Sequence, residues 1–278
     1  MNEVELLDRI NDDIRISTAQ TVIYLEGTTD PEFFFALLGL PTNPADGVHR
    51  GVLVRGLKDD PKRRGSGSAA VRNLVDVASR NRVPGIFGVI DGDGRKLEEL
   101  APRFDPSYPG PLFHWKAYCI ENLIAKTGWP SVWGDEPDWV AELSRYGPYV
   151  ALNRIVLEVR SIVKELELES YSKPSLGSPM KQAAEVARAL GEGKHRIQEY
   201  DVEQRFASEF ADFEGLVRSN LDEAHALLNG KWLFQHMAPT LTRRDPDLCR
   251  FEWLAHARSV GGLPEVRDWW ERVTGFPP

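Results

Sequence analysis

Residues 85–94 read Gly-Ile-Phe-Gly-Val-Ile-Asp-Gly-Asp-Gly. The short continuous apolar run Gly85–Ile90 predicts a strand covered on both faces, as in a parallel sheet flanked by helices. It runs straight into two carboxylates, Asp91 and Asp93. In an extended chain, side chains two apart point the same way. If the extension persists, both carboxylates converge on one hard cation, and Gly92 and Gly94 let the backbone turn tightly around it. Mg²⁺ prefers oxygen ligands, usually a few carboxylates with waters and substrate phosphates. An ordinary Asp-Gly turn carries the same residues, so the meaning of the pair rests on what surrounds it.

Upstream, Thr21–Leu25 (TVIYL) is apolar and β-rich, and Pro31–Gly39 (PEFFFALLG) is helical in character. Gly51–Arg55 (GVLVR) is a second strand candidate. Ser66–Arg80 places apolar residues at 71, 74, 75 and 78, the spacing of one helix face. Downstream, Leu112–Trp115 is a fourth strand candidate. This alternation predicts βαβ units and an α/β fold with a Rossmann-like parallel sheet. From about Pro137 the segments turn long and helical: Tyr149–Leu168, Met180–Leu190, Val202–Leu228 and Pro264–Val273. The reading is an α/β domain over residues 1–135 and a C-terminal α-helical domain over 136–278.

A parallel sheet binds ligands outside the carboxyl ends of its strands. Glu26 stands at such an end, directly after Leu25. Gly27 permits a sharp turn there, Pro31 suits the first helical position, and Thr29 with Glu32 forms a candidate capping box. A strand-end glutamate is equally a plain solvated side chain, so Glu26 also depends on its context.

The chain of 278 residues carries a net charge of −8, which disfavours whole-surface attraction to nucleic acid. The charge is segregated, however. Residues 50–82 hold nine Lys/Arg against three acids, and residues 196–228 hold three Arg against eight. The basic loop Lys58–Arg64 suits contacts to a nucleic-acid backbone, or is a solvated surface loop. Two distant cysteines, Cys119 and Cys249, read as reduced thiols of a cytoplasmic protein. The six histidines form no zinc-ligand spacing, and there is no P-loop or dinucleotide fingerprint. The start is polar and acidic, unlike a signal peptide, and no apolar run reaches the length of a membrane span. The eight tryptophans read as core or interface anchors.

Taken together, Glu26-Gly27 after one strand and Asp91-Gly92-Asp93 after a later one resemble the Toprim family. That catalytic fold is shared by topoisomerases, primases and the overcoming-lysogenization-defect type nucleases. Tyr118-Cys119-Ile120-Glu121-Asn122-Leu123-Ile124 resembles the Ile-Glu-Asn segment of a Toprim subgroup encoded beside ABC-type ATPases in bacterial anti-phage systems. Gly230-Lys231-Trp232-Leu233 is similar to a late Gly-Lys segment of the same subgroup. The resemblance covers roughly residues 20–125 and this late segment. The basic residue that often follows Glu-Gly in the family is here Thr28, so Arg95-Lys96 or the loop Lys58–Arg64 is left to supply a phosphate contact.

The resemblance implies a Mg²⁺- or Mn²⁺-dependent nuclease acting on tRNA or DNA. It implies Asp91, Asp93 and Glu26 as metal-associated carboxylates, Glu26 also as acid/base, and Glu121 as a further metal carboxylate oriented by Asn122. Lys231 would stabilise transition-state charge. Partners would be nucleic acid and an ABC-type ATPase, with a homodimer left open and no membrane. The rival reading is a non-catalytic regulatory or binding subunit that keeps the fold.

Overall fold

The structure is a computed structural model that describes residues 2–17, 20–44, 47–57, 67–93, 108, 110–162, 178–192 and 201–278. The basic loop Lys58–Arg64 and the pair Arg95-Lys96 lie outside the described residues. Contacts divide the chain into two units, one of Met1–Trp133 with Asp247–Pro278 and one of Gly134–Pro246. The sequence reading drew its line between 135 and 136 and gave everything beyond it to the helical part.

The first unit is an α/β structure around a mostly parallel five-stranded sheet. Its strands are β1 (Thr21–Leu25), β2 (Val48–His49), β3 (Val52–Gly56), β4 (Ile86–Ile90) and β5 (Leu112–His114). Their order is β2-β3-β1-β4-β5. β1 pairs in parallel with β3 and β4, and β4 with β5, while the two-residue β2 lies antiparallel on β3. The chain leaves β1 for one neighbour, β3, and returns from β3 to the other, β4. The junction between β1 and β4 is therefore a topological switch point, where open α/β sheets form a crevice at the carboxyl ends of the strands. Glu26 and Asp91 are the first residues past those two ends.

Alternation along the strands sends their apolar residues to both faces. On one face Val22, Tyr24, Leu53, Ile86 and Ile90 share a core with Leu6 and Ile10 of α1 (Glu3–Ser17) and with Val71, Leu74, Val75 and Ala78 of α3 (Gly67–Arg80). The helix-face positions read from the sequence thus all enter this core. α1 carries a buried carboxylate, Asp13, which accepts a hydrogen bond from the Tyr24 hydroxyl at 2.8 Å and pairs with Arg55. Paired in this way, a buried charge is tolerated.

The opposite face is aromatic. Phe34 of α2 (Asp30–Leu37) meets Trp115, Trp269 and Trp270 at centroid distances of 6.0, 5.9 and 6.1 Å. Phe113 of β5 meets Trp269 at 5.2 Å. After the short helix α4 (Ile120–Ala125), the chain makes the second unit and then returns with two helices, Pro246–Ser259 and Pro264–Thr274. The link between them is held to α2, where the Leu263 amide donates to the Leu37 carbonyl at 2.8 Å.

The second unit is helical: α5 (Trp139–Ile162), α6 (Pro179–Glu192), α7 (Val202–Ser219), α8 (Leu221–Leu227), α9 (Gly230–Trp232), a π-helical turn at Leu233–Met237, and α10 (Ala238–Thr242). Ala151, Leu152, Ile155, Val156 and Val159 of α5 pack with Val202 and Phe206 of α7. Buried Glu209 is paired with Arg154 at 2.8 Å and Arg205 at 3.3 Å. The stretch Val202–Leu228, predicted as one helix, breaks at Asn220, whose side chain leaves the helical path to accept the Glu223 amide and cap α8. Among the described residues no helix is long and apolar enough to cross a membrane.

Candidate active site

Glu26 emerges from β1 into a turn pressed between two glycines. A Cβ on Gly56, at the end of β3, would strike the Gly27 carbonyl. A Cβ on Gly67, at the start of α3, would lie 2.7 Å from the Glu26 carbonyl oxygen and 3.1 Å from its Cβ. Only a residue without a side chain permits such approach. The turn is closed from below by Asp30, whose Oδ2 accepts the Gly27 amide at 2.8 Å. Thr29 makes no side-chain capping bond, so the predicted capping box is absent. Glu32 instead faces Arg250 at 3.7 Å.

The two strand ends are joined directly, because the Asp91 amide donates to Glu26 Oε1 at 2.9 Å. Asp91 is half-buried, and its Oδ1 is shut off from solvent with no hydrogen-bond partner. A buried carboxylate oxygen left without a donor is costly. Asp93 is not presented by continued extension. Its φ is +51°, a left-handed turn conformation, and the Gly92 and Asp93 amides donate to the Ala117 and Tyr118 carbonyls at 3.1 and 2.9 Å. The loop after β4 is thereby fastened to the loop after β5, from which Glu121 follows in the first turn of α4. Asn122 closes that turn, its Oδ1 accepting from the Cys119 amide at 3.1 Å and thiol at 3.4 Å.

The electrostatics bind these residues into one group. Burial, and then the charges of Glu26, Asp30, Glu121 and Asp93, push the Asp91 carboxyl well above the ordinary range. Glu26 is pushed up to about 7, chiefly by burial, with Asp93 and Asp30 adding to the rise. The Asp91 amide and the charge of Arg72 pull it the other way. Five carboxylates therefore share one field, and Glu26, Asp91, Asp93 and Glu121 are the four anticipated from sequence. Asp30 stands at a helix start and Arg72 within the basic stretch 50–82, and local sequence marks neither as part of a site. Lys231 is exposed at the start of α9 in the second unit, where the Asn229 side chain caps its amide at 3.1 Å.

Among the described residues no three His, Cys, Asp or Glu side chains form a group able to hold a metal ion. Mg²⁺ usually takes one or two carboxylates and keeps several waters. Such an ion would draw on Asp91 and Glu26, the carboxylates at the two strand ends. Comparisons with protein-family models, curated proteins and solved structures find nothing that matches this chain.

A carboxyl whose folded-state value lies above its unfolded one holds a proton that the unfolded chain has released. Its stabilising contribution is complete below the unfolded value, 4.5 for Glu26, and is lost as pH rises through about 7. Metal-free protein is expected to lose on the order of 2 kcal/mol over this window from Glu26. Glu26→Gln, which keeps the acceptor for the Asp91 amide, should flatten the fall. Thermal melts across pH in EDTA read this out, and identical pH profiles for the two proteins would contradict it.

Proposed function

We propose that this protein is a Toprim-type nuclease, dependent on Mg²⁺ or Mn²⁺, that hydrolyses phosphodiester bonds in tRNA or DNA. The setting we infer is bacterial anti-phage defence, with an ABC-type ATPase partner restraining the enzyme. The observation that carries the reading is the unpartnered, buried Oδ1 of Asp91 beside Glu26, at the switch point of a parallel sheet. Three further carboxylates, Asp30, Asp93 and Glu121, act on the same site, and such a concentration of negative charge is stable only with a cation or with protons.

Asp91 and Glu26 would hold the ion directly, with Asp93 and Glu121 available through water or on a small adjustment of the loops. When bound, the metal supplies charge neutralisation for the phosphate and an attacking water of lowered pKa. Hydrolysis adds water across a P–O bond, so the attacking water must surrender a proton. Glu26, at the end of β1 beside Asp91, would share the metal or accept that proton.

The test is a cleavage assay of purified protein on tRNA and on DNA. Added Mg²⁺ or Mn²⁺ is expected to give cleavage of at least one substrate and EDTA to abolish it. Absence of cleavage on both with either metal would overturn the enzyme reading and leave the non-catalytic subunit.

A further inference from the structure

Among the described residues, Arg72 of α3 is a cation whose charge acts on Glu26, and its place follows from the packing of α3. Val71 and Val75 fix how that helix is turned toward the sheet. A Cβ on Gly88, in the middle of β4, would lie 2.5 Å from a Val71 methyl and 2.8 Å from a Val75 methyl. Both valines therefore sit directly above Gly88. One flank of the helix carries Ala70 and Val77, which join the core that contains Leu6 and Ile10 of α1. At about 100° per residue, Arg72 falls on the other flank, turned away from α1.

Helical side chains lean toward the N-terminus of their helix. The N-terminus of α3 is held at the carboxyl end of β1 by the contact of Gly67 with Glu26. A side chain starting in the second turn thus leans toward the carboxyl end of β1, in keeping with the pull of the Arg72 charge on Glu26. Arg72 is partly exposed, so a ligand can reach it.

We propose that Arg72 is the residue through which this site grips a phosphate of the substrate backbone. The inference rests on the nuclease reading and adds to it a specific anion contact contributed by α3. A guanidinium fork matches two phosphate oxygens.

The test uses the full chain and a fluorescein-labelled single-stranded oligonucleotide, with Ca²⁺ replacing Mg²⁺ so that binding is read without turnover. Arg72→Gln should weaken binding about tenfold at ~0.1 M salt. It should also reduce the slope of log affinity against log salt by about 0.7–0.9, the loss of one phosphate contact. Arg72→Lys keeps the charge without the fork and should recover part of the affinity and most of the slope. The rise in melting temperature produced by Mg²⁺ alone should persist in Arg72→Gln.

Unchanged affinity and slope would overturn the proposal. So would loss of the Mg²⁺ response together with binding, which would make Arg72 a support for the carboxylates. Wild-type protein that binds but never cleaves, with binding lost in Arg72→Gln, would keep the anion contact and reject the nuclease reading. Wild-type cleavage with Arg72→Gln binding unchanged would do the reverse.

Discussion

Asp91→Asn is expected to lower the cleavage rate by about three orders of magnitude while leaving the protein folded. The reason lies in one atom. Asp91 Oδ1 is buried without a partner, and the Asp91 backbone amide is what joins the loop to Glu26. An asparagine keeps that backbone bond and the side-chain volume, but it withdraws the negative charge on which a cation would sit. Above neutral pH the variant should also melt higher than wild type in EDTA, because one member of a mutually repelling group has been neutralised. Added Mg²⁺ should raise the melting temperature of wild type and barely move the variant. Cleavage within tenfold of wild type would remove Asp91 from the machinery, whatever the melting data showed.

The second large effect concerns the opposite face of the sheet. Trp270→Ala is expected to destabilise the first unit by about 3–5 kcal/mol, a substantial share of a typical domain's 5–15 kcal/mol. The indole is fully buried and packs against Phe34, His49 and Phe276 at 6.1, 5.9 and 6.2 Å. Its loss should lower the melting temperature by roughly 10 °C. Trp270→Phe should cost much less. The Trp270 Nε1 donor is buried without a hydrogen-bond partner, and a phenyl ring removes that unmet donor while keeping most of the apolar volume. Equal losses for the two substitutions would show that shape, and not buried area, dominates at this position.

The strands were legible because each is a short, apolar, β-rich run bounded by turn residues, and all four anticipated strands occur within a residue of their predicted limits. Glu26, Asp91 and Asp93 were legible as carboxylates at strand ends. What local pattern could not convey was convergence. Asp30 reads as the start of a helix, and it is one; only the fold-back of Gly27–Asp30 brings its charge to Asp91. Arg72 lies far along the chain from Glu26, and its role depends on how α3 is turned. α1 is hard to see in the sequence because its start is polar and acidic, and among its described apolar residues only Leu6 and Ile10 are buried. β2 has two residues and exists through its pairing with β3. The alternation argument for Asp93 failed because the strand stops at Ile90 and the backbone turns left-handed three residues later.

The return of Asp247–Pro278 to the sheet unit has a consequence for biosynthesis. Residues 134–246 are contiguous, so the helical unit can complete its core as it leaves the ribosome. The sheet unit cannot. Its aromatic face, with Phe34, Phe113 and Trp115, waits for Trp269 and Trp270 from beyond the helical unit. Until then that face is open to water and to chaperones, and closing it over so long a chain separation is slow. The scaffold that carries the strand-end carboxylates stays incomplete until residues 247–278 have been made.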